Sequence, residues 1–179
     1  MGSPTNAFAF LIQTLVHLYL VVMLLRILLE AVRADFYNPV VQVLTRLTDP
    51  LVRPLARVVP NVGRINSAAV VVLYLVQLFG LFLVLVVSGR TPDPLVLSLL
   101  ALRELMRLLL TLYIILIIVG VILSWVGHNV RHPVVPLVFQ LVDPVLAPIR
   151  RVLPALGGFD LSPLVAIIGI QFLIILLGL

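Results

Sequence analysis

The chain contains no cysteine and no lysine. Without cysteine there are no disulfides, thiolate metal sites, iron–sulfur clusters or cysteine nucleophiles. Charge of any kind is scarce: 11% of residues are charged, where soluble domains carry about a quarter. The short motifs of common enzymes are also missing. There is no phosphate-binding loop, no Gly-x-Ser-x-Gly elbow, no His-Glu-x-x-His and no carboxylate pair inside an apolar run. Catalytic residues are therefore not expected, and the chain does not read as an enzyme. No aromatic platform interleaves the arginines, which argues against direct nucleic-acid binding. His128 and His132, four apart, lack the carboxylate or cysteine company of a metal site. A bis-histidine haem would need a second intramembrane histidine beside His17. No metal or cofactor is expected.

What is present is hydrocarbon. Hydrophobic residues make up 63% of the 179 residues, and the mean hydropathy is +1.28. Four apolar runs approach the ~20 residues that a bilayer crossing needs: 7–29, 67–87, 108–126 and 161–179. Residues 1–6 lack the basic start and cleavage site of a signal peptide, so the first run is expected to be retained.

A twelve-residue pattern occurs twice. Asp49-Pro50-Leu51-Val52-Arg53-Pro54-Leu55-Ala56-Arg57-Val58-Val59-Pro60 recurs 94 residues later as Asp143-Pro144-Val145-Leu146-Ala147-Pro148-Ile149-Arg150-Arg151-Val152-Leu153-Pro154. Extended without gaps to 39–66 against 133–160, 11 of 28 positions are identical. Each copy lies between two apolar runs. The expected fold is an all-α membrane protein with four transmembrane helices in two repeats, 1–94 and 95–179, each with a proline-broken amphipathic connector helix. A repeat with two crossings returns to the side where it began, so the repeats should be parallel, related by an axis along the membrane normal.

The charge balance bears on orientation. The net charge is +5, and all 12 basic residues are arginine. The connectors 30–66 and 127–160 hold eight arginines, and the middle segment 88–107 holds Arg90, Arg103 and Arg107. The positive-inside rule places the two repeated connectors in the cytoplasm and both termini outside.

Within the first connector, Val40, Val43, Leu44, Leu47, Leu51, Leu55 and Val58 make an apolar stripe, opposed by Gln42, Arg46, Asp49, Arg53 and Arg57. This is the pattern of a helix lying among lipid headgroups. Asp49-Pro50 reads as an N-cap and first-turn proline, so a second helix is expected to start there, kinked at Pro54 and stopped by Pro60. In the second connector Asp143 caps and Arg150 and Arg151 close. Gly63 and Gly157 match as turn residues, and Asn66 and Asp160 as caps for the following span. Two uses are open for Asp49, Arg53, Arg57, Asp143, Arg150 and Arg151. They could anchor interfacial helices on anionic membrane lipids. Asp49 with Arg57 and Asp143 with Arg151 could instead form a two-fold charged surface that docks a membrane or cytoplasmic protein partner.

Among the polar residues within or at the edge of the apolar runs, His17, Arg26, Glu30, Gln77 and Gln171 are candidates for an intramembrane role. Arg26 and Glu30 are spaced for an i,i+4 pair, and Arg26 is near enough to the span's end to snorkel. Gln77 and Gln171 match across the repeat and could bond across helices or line a polar path.

These residues resemble the YggT family of integral membrane proteins, also called YlmG. Leu25-Arg26-Ile27-Leu28-Leu29, Asp35-Phe36-Tyr37-Asn38-Pro39 and Asp49-Pro50…Pro54…Arg57…Pro60 are similar to its first motif block. Ser124-Trp125-Val126, Asp143-Pro144…Pro148-Ile149-Arg150-Arg151…Pro154, Gly157-Gly158, Asp160 and Ser162-Pro163 are similar to its second. Ala31 departs from the pattern, where an aromatic residue is more usual. The resemblance implies a factor of the bacterial cytoplasmic (inner) membrane or the thylakoid. It also implies links to osmotic or salt tolerance, cell division, plastid nucleoid distribution and cytochrome b6f haem assembly. It supplies no catalytic residue. Two functions are carried forward: a scaffold or assembly factor working through the connectors, and a small oligomeric channel or transporter component in ion or osmotic balance. Self-association into a homo-oligomer is compatible with both.

Overall fold

The structure, a computed structural model, describes residues 4–61, 66–91, 93–126, 132–153 and 160–179. Six helices form within them: α1 (Pro4–Ala31), α2 (Pro39–Ala56), α3 (Ser67–Val87), α4 (Pro94–Val126), α5 (Val134–Val152) and α6 (Ser162–Leu176). The order is apolar, amphipathic, apolar, and then the same again. Three helices, α1, α3 and α4, are long and apolar enough to cross a membrane. The fourth apolar run forms α6, of 15 residues. At 1.5 Å per residue it reaches about 22 Å, short of the ~30 Å hydrocarbon core.

The third run starts earlier than its hydropathy suggests, at Pro94 instead of Leu108. Asp93 accepts from the N–H groups of Leu95 (2.8 Å) and Val96 (3.2 Å), and Pro94 takes the first helical position, where its missing N–H costs nothing. No proline or glycine follows until Gly120. Arg103, Glu104 and Arg107 therefore lie within a helix, not in a connector. The break between α3 and α4 narrows to 88–93. There Gly89 takes φ 70 and the Arg90 N–H reaches the Leu85 carbonyl at 2.9 Å, closing α3.

The connectors also differ from expectation. Helix α2 runs unbroken through Pro50 and Pro54, and α5 through Pro144 and Pro148. Asp49 and Asp143 are mid-helix and cap nothing. The cap of α2 is Asn38, whose side chain accepts from the Val40 N–H at 2.9 Å. An interior proline removes one hydrogen bond and normally costs about 3 kcal/mol. Pro50 and Pro54 are both exposed, so the carbonyls left open, those of Arg46 and Pro50, face solvent or headgroups. Helix α2 ends at Ala56, before Pro60. Asn66 does cap α3, accepting from the Ala69 N–H at 3.2 Å. Asp160 accepts from the Ser162 N–H at 2.9 Å as α6 begins. Gly63, Pro154, Gly157 and Gly158 lie outside the described residues.

Packing follows the halves. Helices α1, α2 and α3 contact one another, as do α4, α5 and α6, and α3–α4, α1–α5 and α1–α4 join the two sets. The closest approach is α1 on α3. A Cβ placed on Gly80 would lie 2.6 Å from Val16 Cγ1, so any larger residue would force Val16 to shift. Leu20, Met23, Val52, Ile117 and Leu141 are fully buried. The outer surface carries many large apolar side chains, among them Phe10, Leu15, Phe79, Ile122 and Phe172. A surface of this kind fits lipid as its solvent.

Candidate functional site

Helix α2 has three faces, not two. Val41, Leu44, Thr48 and Val52 are buried against the protein. Val43, Leu47 and Leu51 are exposed. Gln42, Arg46, Arg53 and Arg57 are exposed on a third stripe. At 3.6 residues per turn the three are roughly a third of a turn apart. The stripe read from sequence as one apolar face is thus two. One packs inward, and the other is exposed. A helix with protein, hydrocarbon and water on three sides suits the edge of a bilayer.

Asp49 leans from the polar stripe toward the bundle and is 13% exposed. Its Oδ1 accepts from the Arg26 guanidinium at 2.9 Å, and its Oδ2 from Arg53 at 2.7 Å. Arg26 itself is 7% exposed. It also donates to Glu30 Oε1 at 2.9 Å and to the Thr48 hydroxyl at 2.6 Å. The Thr48 hydroxyl in turn donates to the Leu44 carbonyl at 2.7 Å. The cluster holds two cations and two anions, and its fork geometry is the kind a buried guanidinium needs. Arg26 does not snorkel. It fastens α1 to α2.

The second half solves the same problem differently. The position matching Arg26 is Gly120, and the one matching Thr48 is Val142. A Cβ on Gly120 would lie 3.7 Å from Val138 and 4.0 Å from Val142, so the buried polar pair is replaced by close apolar approach. Asp143 pairs instead with Arg150 of its own helix at 3.0 Å, and Arg150 reaches Asp160 at 2.8 Å. Burial would push the Asp160 carboxyl up. The Ser162 hydroxyl and N–H and the Arg150 guanidinium outweigh it and hold the carboxyl below its ordinary range. Arg150 loses some stabilisation of its charge to burial, but its two carboxylate partners raise its pKa overall.

The surface expected to pair Asp49 with Arg57 and Asp143 with Arg151 is therefore not symmetric. Both aspartates have other partners. The charge facing outward on α2 is arginine, Arg46, Arg53 (78% exposed) and Arg57, and on α5 Arg151 stands beside the exposed Asp143–Arg150 pair.

Toward the opposite ends of the apolar helices, α1, α3 and α4 line an open cavity of ≈ 600 Å³, with Gln13, His17, Arg107 and Thr111 exposed at its mouth. His17 and Gln77 line it, with Gln13, Glu104, Arg107 and Thr111. Gln77 is buried, whereas Gln171 is exposed on α6. The two amides do not share this cavity. Glu104 and Arg107 were missed as site residues because the sequence places them in a connector. The Asp93-Pro94 helix start was the signal that could have moved them. His132 is exposed, and His128 lies outside the described residues.

A family model described as CCB3/YggT matches residues 5–87 and 99–179. An uncharacterized protein of Vibrio alginolyticus, encoded in the proC 3' region, is 41% identical over 97% of this chain and 94% of its own length. An uncharacterized Pseudomonas aeruginosa protein is 39% identical over 97% of this chain and 89% of its own length. The uncharacterized protein YggT of Escherichia coli K12 is 37% identical, covering 91% of this chain and 85% of itself. No solved structure matches.

Proposed function

The chain belongs to the CCB3/YggT family, and from that premise we propose that it is a non-enzymatic scaffold or assembly factor of the bacterial cytoplasmic membrane. Its connector helices α2 and α5 lie on the cytoplasmic face and bind anionic headgroups and a protein partner. The observation that carries this reading is the three-faced α2. Its aspartate turns inward to Arg26 and also holds Arg53, so the exposed charge of the outward stripe is that of Arg46, Arg53 and Arg57. An interfacial helix of this charge attracts an anionic membrane surface or an acidic partner.

The reading includes four crossings, with α6 as the fourth, in two parallel repeats. The 94-residue offset of the connectors supports it, and the two stretches matched by the family model start at 5 and 99, the same distance apart. Single cysteines at Ser3, Arg57 and Arg151 test the topology with an impermeant thiol reagent on intact cells. Labelling at 3 alone is expected. Labelling at 57 and 151 but not at 3 would invert the protein and end this reading.

The cavity favours a second reading, a channel or transporter component, because a polar path needs polar lining. Its continuation toward the connectors is apolar, however. Leu20, Met23, Leu73, Leu112 and Leu116 are buried within two turns further along the same helices. A closed apolar floor supports a binding pocket over a conduit. Ion flux through liposomes holding the purified protein would reverse that preference.

A further inference from the structure

The cavity between α1, α3 and α4 has a composition that calls for one kind of occupant. Glu104 and Arg107 stand one helical turn apart on α4 and both line it. Neither side chain has a hydrogen bond or ion pair among the described residues. Their neighbour Arg103 is engaged, donating to the Gly178 carbonyl at the end of the chain. The site therefore presents an uncommitted carboxylate and an uncommitted guanidinium side by side, on a helix long and apolar enough to cross a membrane. Unpaired charge at such a place is costly and points to function. The rest of the wall divides by chemistry. Gln13, His17, Gln77 and Thr111 offer neutral hydrogen-bonding groups, and Val16, Leu81, Val84, Leu100 and Leu108 offer hydrocarbon. A volume of ≈ 600 Å³ is within the range of roughly 300–1,000 Å³ of ligand pockets.

We propose that this cavity is a binding site for a zwitterionic phospholipid with a primary ammonium, of the phosphatidylethanolamine type. Arg107 forks the phosphate, the geometry in which guanidinium surpasses ammonium. Glu104 accepts from the ammonium. The headgroup's two charges match the pair in sign and close spacing, and the occupied site is neutral overall. The acyl chains lie along the apolar wall and the exposed flanks of α1 and α3. A quaternary ammonium carries no N–H and cannot donate to Glu104, so the site distinguishes two lipids of equal net charge. This site is on the side away from the connectors and does not depend on what they bind.

The test uses the full chain purified in detergent, titrated with dioleoyl phosphatidylethanolamine or dioleoyl phosphatidylcholine and read by native mass spectrometry. Glycerophosphoethanolamine serves as the chain-free headgroup. The ethanolamine lipid is expected to bind at least tenfold more tightly than the choline lipid. Glu104→Gln, which keeps the shape, should abolish that preference, and Arg107→Gln should weaken both lipids. Thr111→Trp adds bulk to the cavity wall one helical turn from Arg107 and should displace the bound lipid. Equal binding of the two lipids by the unaltered protein would overturn the proposal, as would retention of lipid by Thr111→Trp. Competition by glycerophosphoethanolamine at the lipid's own concentration would overturn it in favour of a water-soluble ligand.

Discussion

Arg26 of α1 and Asp49 of α2 meet at 2.9 Å in a site where Arg26 is 7% exposed, while their counterparts, Gly120 and Asp143, form no such pair. One half of the molecule ties its connector to the preceding span by a buried charge network. The other ties its connector to the following span through Arg150 and Asp160, at the surface. Matching positions of the two connectors are thus fastened by different residues.

Removing one partner of a buried ion pair costs more than the pair contributes, because the other charge is stranded. Asp49→Ala is expected to lower stability in detergent by about 3 kcal/mol, near the low end for such sites because Glu30 still serves Arg26. Asp49→Asn should cost less. Arg26→Met added to Asp49→Ala should cost less than the sum of the two, by at least about 1 kcal/mol, as expected for residues in contact. Chemical denaturation of the four proteins measures the coupling. Strict additivity would show that the contact has no energetic weight.

Gly80 sets the distance between α1 and α3. Gly80→Leu should force Val16 aside and part the helices, at a cost of about 1–3 kcal/mol or more for overpacking. Gly169 of α6 has open space where a Cβ would go. Gly169→Leu should leave the thermal midpoint nearly unchanged, which makes it the control. Equal effects from the two substitutions would contradict the packing described.

Asp160 has a folded pKa below its ordinary value, so its link to Arg150 and Ser162 stabilises the protein above the ordinary carboxylate range. That contribution is lost as pH falls through the lowered folded value, below about 3.8. Near neutrality it should not vary. Asp160→Asn should flatten this acid limb in a thermal-stability series across pH. An acid limb unaltered by the substitution would assign it to other carboxylates.

Much of the fold was legible in the sequence because hydropathy and the repeat are strong signals. The helices of 7–29 and 67–87, an amphipathic helix in each connector and the Asn66 cap lie where the pattern puts them. What failed was the reading of punctuation. Asp49-Pro50 looks like a helix start, and Asp93-Pro94 is one; the dipeptide alone does not distinguish them. Burial does. Around Asp49 the helix is held by Val41, Leu44, Thr48 and Val52 packing inward on both sides of the proline. The candidate site was legible only in part. Local spacing announced Arg26 with Glu30, but the bond from Arg26 to Asp49 spans 23 positions and depends on how α2 folds back. The cavity was half visible, through His17 and Gln77. Its charged half sat in a segment taken for a loop.

The central claim is that the outward arginines of α2 and α5 make the contacts on which function depends, and one measurement addresses it directly. Arg57→Glu with Arg151→Glu leaves every ion pair described here intact, so the fold should survive. A photo-crosslinking residue at Gln42, on the same stripe as Arg57, in this background and in the unaltered one, reports what that face of α2 touches in native membranes, alongside complementation of a deletion strain. The account predicts discrete adducts that weaken with added salt, as exposed charge contacts do when screened beyond roughly 10 Å at 0.1 M. It predicts that the double charge reversal loses both the adducts and the complementation. Full complementation with unchanged adducts would contradict it and leave α2 and α5 as packing helices alone.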